Sequence, residues 1–296
     1  MARASVNGVE IEYETWGVEN GQPLLLVGGL GSQLLTWPEL LVQALVDAGF
    51  FVIAYDNRDI GLSTKFDDWG PADIKAAFKQ ARAKQKVDAP YTLEDMADDA
   101  AALLDYLEIE CANIVGNSNG GAIAQTLAIR HPEKTATLIS MMATSGRRGL
   151  ARPSEAASEW LARPRNSAGT RDGAMQEAVE TSHIIGSPGF PRDEAAIREK
   201  AGRLFDRSFY PAGNSRQLLA SIASGDARVA GLGEITAPTL VLHGRDDPLV
   251  PLACAEDVRD SIPGAEMLVV DGMGHDFPAG VIPIVASGIS DFVAKQ

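Results

Sequence analysis

Six short runs of this chain are apolar at successive positions rather than at alternate ones: residues 23–27, 50–55, 112–115, 136–140, 238–242 and 266–270. A strand with one wet face alternates, whereas a strand covered on both faces need not, so these runs predict strands of a buried parallel sheet. Between them the spacing changes to a helical rhythm, over roughly 38–48, 92–107, 119–131, 252–262 and 280–294. Thr92, followed by Glu94 and Asp95, gives the second of these a capped, acidic start. Ahead of the first run, residues 6–13 surround Asn7-Gly8 and predict an antiparallel edge hairpin. Strand and helix in alternation predict an α/β sheet with helices on both faces.

Two stretches break the rhythm. Residues 64–90 carry Lys75, Lys79, Arg82, Lys84 and Lys86 and predict an inserted, mostly solvated helix. Residues 146–228 are rich in Arg and Ala, are broken at Pro153, Pro164, Gly186-Ser187-Pro188-Gly189 and Pro211, and hold no buried strand pattern. They predict a helical excursion that leaves after the sixth core strand and rejoins the sheet at 232–238. The expected division is a core domain of 1–145 and 229–296 and a helical cap of 146–228. Ligands of open α/β sheets bind beyond the carboxyl ends of the strands, the place that such an insertion would cover.

Composition narrows the function. With 45% apolar and 22% charged residues, a chain of 296 can bury a large core without disulfide or metal staples. A net charge of −14 excludes a general attraction to nucleic acid or anionic membrane. Cys111 and Cys254 alone make neither a disulfide framework nor a thiolate metal site. The start has no apolar leader, and no run approaches the roughly 20 apolar residues of a membrane span. A soluble, cytoplasmic protein without nucleic-acid or membrane partners is expected; oligomeric state has no signature here.

The sharpest chemical feature is Gly116-Asn117-Ser118-Asn119-Gly120-Gly121. Such a match alone is weak, but Ser118 stands between a strand run and a helical pattern, where a G-x-S-x-G nucleophile must make a strained turn. Small residues at Gly116 and Gly120 suit that turn, and the positive end of the following helix favours a developing anion. Of four histidines, His131 suits a helix C-terminus, His183 lies in the insertion and His243 reads as packed within a strand end. His275 follows the last strand on a glycine-rich loop and is the candidate base. Asp247 is the candidate acid, because Pro248 fixes the turn after it, with Asp246 as second choice. The order Ser118, Asp247, His275 is that of the nucleophile-elbow enzymes. The Asn119 N–H is one expected oxyanion donor; the loop Gly28-Gly29-Leu30-Gly31-Ser32 supplies the second, assigned to the Leu30 N–H.

These motifs together resemble the α/β-hydrolase family, from Val6 to the C-terminal helix. Asp56-Asn57-Arg58-Asp59-Ile60-Gly61-Leu62-Ser63 is similar to that family's D-x-R-G-x-G-x-S loop, with Asp59 in place of a glycine, and Gly28 stands where most members carry histidine. The resemblance is closest to aclacinomycin methylesterase-like carboxylesterases. It implies a mostly parallel eight-stranded sheet under a helical lid, no cofactor, and cleavage of a carboxylic ester through an acyl-enzyme. Carbon–carbon bond hydrolases of the same fold share Gly-Asn-Ser-x-Gly-Gly, but usually carry tryptophan after the histidine, where Asp276 stands here. A non-catalytic small-molecule binding protein has no need for nucleophile, base and acid together. Candidate substrate-pocket residues are Gly29, Trp37, Met142, Trp160 and Phe205, and core packing competes for each. Six arginines from Arg147 to Arg171 fit an anionic substrate or a solvated lid surface equally well.

Overall fold

The computed structural model describes residues 1–163 and 169–296. It opens on the hairpin β1 (Ala2–Val6) and β2 (Val9–Trp16), joined through Asn7 and Gly8 at φ of 47° and 76°. Both angles lie in the left-handed region that a two-residue hairpin turn requires. The parallel strands follow: β3 (Gln22–Val27), β4 (Phe50–Tyr55), β5 (Ala112–Asn117), β6 (Thr135–Met141), β7 (Thr239–Gly244) and β8 (Glu266–Val270). They form one eight-stranded sheet in the order β1-β2-β4-β3-β5-β6-β7-β8, antiparallel only at β1–β2 and β2–β4.

Adjacent residues of one strand enter different cores. Leu24, Leu26, Val52, Ala54 and Val115 pack with helices α1 (Glu39–Asp47) and α10 (Ile282–Val293). Leu25, Val27, Ile53 and Ile114 pack on the opposite side, with α3 (Leu93–Tyr106), α4 (Asn119–Arg130) and α9 (Leu252–Ser261). Both faces are therefore dry, which is why the runs are apolar throughout. Thr92 and Asp95 cap α3 reciprocally, each side chain accepting from the other's backbone N–H.

The helix expected over 64–90 is shorter: α2 spans Ile74–Arg82. Asp73 caps its start by accepting from the Ala76 N–H, and Lys84 at φ 56° turns the chain out of the helix. After β6 the chain leaves the sheet for α5 (Glu155–Ala162), α6 (Arg171–Ile185), α7 (Glu194–Arg207) and α8 (Pro211–Ser224), with no strand among the described residues. Ser154, Thr170 and Asp193 cap the first three, and Pro211 opens α8, where its missing N–H has no partner to lose. Pro164 and Arg165 lie outside the described residues. The chain rejoins through a short turn at Gly231–Glu234 before β7. No helix among the described residues is long and apolar enough to cross a membrane.

Candidate active site

Ser118 sits between the end of β5 and the start of α4 with φ 54° and ψ −121°, a strained conformation for a non-glycine residue. The turn is held by the Ser118 N–H donating to the Met141 carbonyl at 2.8 Å, and by packing that leaves no room for side chains. A Cβ on Gly116 would overlap the Gly120 carbonyl, and one on Gly120 would overlap the Val27 carbonyl. Helix α4 therefore lies hard against β3 and β5, and its first N–H groups face the serine.

His275 and Asp247 arrive from the loops after β8 and β7. The Ser118 Oγ lies 3.0 Å from His275 Nε2, and His275 Nδ1 lies 2.7 Å from Asp247 Oδ2. A carboxylate only accepts, so the imidazole carries its proton on Nδ1 and offers Nε2 as acceptor for the serine hydroxyl. The other carboxylate oxygen of Asp247 accepts the Leu249 and Val250 N–H groups, each at 2.8 Å. Asp247 is 5% exposed, whereas Asp246 is exposed and accepts the Gly272 N–H at 2.9 Å. The two acids are thus separated by burial: one faces the imidazole, the other closes a surface turn.

His243 is fully buried, and its Nε2 donates to the Val250 carbonyl at 2.7 Å. Burial holds its pKa below the ordinary imidazole value, so the ring braces the turn of Asp247 as a neutral donor. His131 ends α4 beside Asp98 (2.8 Å), and exposed His183 lies 2.9 Å from Glu194. Neither approaches the serine hydroxyl within hydrogen-bond range.

The segment joining α6 to α7 clasps the His275 loop. The His275 N–H donates to the Ile185 carbonyl at 2.7 Å, and the Gly274 N–H donates to Ser187 Oγ at 2.9 Å. The Ser187 N–H and hydroxyl both donate to Asp276, whose pKa burial raises against those bonds. The Asp247 loop is tied as well, the Ser154 N–H donating to the Pro248 carbonyl at 2.8 Å.

The loop of Gly28 to Ser32 passes beside the serine: a Cβ on Gly29 would stand 3.3 Å from the Ser118 Cβ. Neither the Leu30 N–H nor the Asn119 N–H has a hydrogen-bond partner among the described residues. The neighbouring Asp56 loop holds this corner. Buried Asp56 accepts from the Leu34 N–H (2.7 Å) and the Leu62 N–H (2.8 Å), and Arg207 reaches it at 2.8 Å. Arg58 is paired with buried Asp99 through two bonds of 2.6 Å. Asp59 adopts φ 73°, which explains why a glycine is at ease at this place in the motif.

Of the pocket candidates, Gly29 lies against the serine. Trp37 is 5% exposed and packs on Phe277, two residues past His275, with ring centroids 5.9 Å apart. Met142 is buried at φ 48° just beyond β6. Trp160 donates to the Thr181 hydroxyl at 2.8 Å, and Phe205 packs on Phe209 at 4.8 Å. Exposed Arg147, Arg148 and Arg171 pair with Asp257, Asp226 and Asp206. Sequence reasoning missed the residues by which the insertion grips the site, namely Ser187, Gln217 and Arg216; the glycine-to-aspartate departure at Asp59 was the one signal of the last.

Residues 22–278 match the family described as alpha/beta hydrolase fold. The chain is 30% identical over 290 residues to rhodomycin D methylesterase DauP of Streptomyces sp. (strain C5), covering 90% of this chain and 89% of that protein. It is 31% identical over 278 residues to 2-hydroxymuconate semialdehyde hydrolase of Pseudomonas sp. (strain CF600), covering 93% and 88%. Among solved structures, the enol-lactonase from Burkholderia xenovorans LB400 superposes with a TM-score of 0.75 at 23% identity, over 99% of this chain and 100% of that one. The chain belongs to the alpha/beta hydrolase fold family.

Proposed function

We propose that this protein hydrolyses carboxylic esters, with Ser118 as nucleophile, His275 as general base and acid, and Asp247 as the partner that orients the imidazole. The observation that carries this reading is the continuous chain of hydrogen bonds from Ser118 Oγ through His275 to Asp247. As the Oγ–carbon bond forms, the hydroxyl proton passes to His275 Nε2, and the carbonyl oxygen becomes an anion held by the Leu30 and Asn119 N–H groups. Collapse breaks the bond to the alcohol oxygen, which takes the proton from Nε2. Water then repeats the sequence on the acyl-enzyme and frees the acid. The likeness to rhodomycin D methylesterase DauP favours a small alcohol as leaving group. Residues 146–228 act as the cap over this site, with the remainder as core domain.

Replacing Ser118 by alanine is expected to lower turnover of a short-chain p-nitrophenyl ester on the order of 10⁴-fold or more, with unchanged circular dichroism. A folded variant with most of its activity removes the assignment. The 31% identity to 2-hydroxymuconate semialdehyde hydrolase favours a second reading, carbon–carbon bond hydrolysis by the same three residues. Comparing kcat/KM for that semialdehyde and for short esters separates the two: the ester reading expects the esters to be faster.

A further inference from the structure

Helix α8 meets both halves of the oxyanion site with one face. Asn214, Gln217 and Ser221 stand at positions i, i+3 and i+7, which coincide on a helix surface. Gln217 is fully buried; its Oε1 accepts the Gly31 N–H at 2.9 Å and its Nε2 donates to the Arg58 carbonyl at 2.9 Å. Asn214 fills the space where a Cβ on Gly31 would lie. One turn further, the Ser221 hydroxyl donates to Asn119 Oδ1 at 2.6 Å. The helix thus holds the residue after Leu30 and the residue after Ser118 simultaneously.

What fixes the helix is an ion pair that the family glycine could not make. Asp59 and Arg216 are joined by two bonds of 2.6 and 2.8 Å, and each is almost wholly buried. The Tyr91 hydroxyl donates to the same carboxylate at 2.9 Å. On the adjacent turn, Gly213 approaches the Asp59 carbonyl so closely that no Cβ fits between them. Bidentate pairing of a planar guanidinium specifies orientation as well as proximity.

We propose that Gln217 is a positioning residue for the oxyanion site, and that α8, locked by Arg216 on Asp59, aims the Leu30 N–H at the reacting carbonyl. The proposal rests on the assignment of that N–H under Proposed function. A loop containing Gly28, Gly29 and Gly31 has little stiffness of its own. The Ser32 N–H donating to the Gly29 carbonyl at 3.1 Å closes the turn on one side, and Gln217 pins the Gly31 peptide on the other. With both neighbours fixed, the Leu30 N–H has one direction left. A donor set in advance stabilises charge that appears only in the transition state, so its loss acts on kcat rather than on substrate binding.

The test compares Gln217→Met, which keeps length but no strong acceptor, with Gln217→Glu, which as a buried neutral acid keeps an oxygen for the Gly31 N–H and an O–H for the Arg58 carbonyl. Active sites are counted by titration with a p-nitrophenyl phosphonate, so that misfolded protein does not enter the rates. For p-nitrophenyl butyrate, Gln217→Met is expected to lose roughly 10- to 100-fold in kcat with KM within about threefold. Binding of an alkyl trifluoromethyl ketone is expected to weaken by the same factor, because its hemiketal oxygen, formed as Ser118 Oγ adds to the ketone and its proton passes to His275, occupies the oxyanion position. Gln217→Glu is expected to recover most of both. An unchanged kcat, or a fall in kcat without weaker ketone binding, overturns the proposal. Should Gln217→Met not fold, Arg216→Lys, which keeps the charge but loses the bidentate pairing that locks α8 on Asp59, carries the same test with a roughly three- to tenfold fall in kcat, and an unchanged kcat there overturns it. A wild-type protein with neither ester turnover nor ketone binding brings down the oxyanion assignment and this proposal with it, whereas a wild type that shows both, beside an unchanged Gln217→Met, brings down the role of Gln217 alone.

Discussion

Ser118 and the two side chains bonded to it in line are held by different parts of the molecule. Ser118 is fixed by the sheet: backbone packing among Gly116, Gly120 and Val27, and one bond to the Met141 carbonyl, set its angles. The loops of His275, Asp247 and Leu30 are each tied to the insertion instead, through Ile185 and Ser187, through Ser154, and through Gln217. The difference separates two kinds of precision. Steric exclusion among backbones is stiff and leaves little to adjust. Polar ties from the helices between β6 and β7 can change with those helices while Ser118 stays in place, so the geometry of the tied loops is free to vary.

The contrast is open to direct challenge. A Cβ at the elbow has nowhere to go, so Gly120→Ala is expected to lose on the order of 3–5 kcal/mol, a large part of a typical fold's total stability. Urea unfolding measures it, and a variant of near wild-type stability breaks the steric half of the comparison. Ser187→Ala should act the other way. It leaves the core intact but frees the Gly274 N–H and one bond to Asp276, for about 1–2 kcal/mol and roughly tenfold in kcat/KM. Loss of stability at full activity would show that the clasp does not govern the His275 loop.

The smallest effect concerns His243. Its buried ring resists the proton that the unfolded chain accepts, so stability is intact above the ordinary imidazole range and declines as pH falls through it. Thermal melts from pH 8 to pH 5 are expected to show this decline, and His243→Gln, which cannot titrate, to show a shallower one. Equal slopes would mean that another group carries the acid sensitivity.

The division between the two regions also marks what was legible in the sequence. Strands buried on both faces announce themselves as unbroken apolar runs, and β3, β4 and β8 appear within about one residue of where those runs lie. The elbow was legible because its glycines answer to local backbone rules. Pro248 pointed to the turn in which Asp247 lies, and burial separates that residue from Asp246 in a way that composition alone does not. The ties from the insertion were not legible. Gln217 stands 186 positions from Gly31 and Arg216 stands 157 from Asp59, and a glutamine within a helix carries no mark of the amide it will meet. Asp59 was visible as a departure from the glycine pattern, but its φ of 73° and its partner are properties of the fold. The 64–90 stretch was overextended because its charge pattern conceals the stop at Lys84.

The most direct measurement is intact mass and peptide mapping after reaction with a p-nitrophenyl phosphonate. One phosphonyl group per chain, located on Ser118 and appearing in step with the loss of ester turnover, is the expected result. Complete inhibition with the label on another residue, or activity that survives full labelling of Ser118, contradicts it.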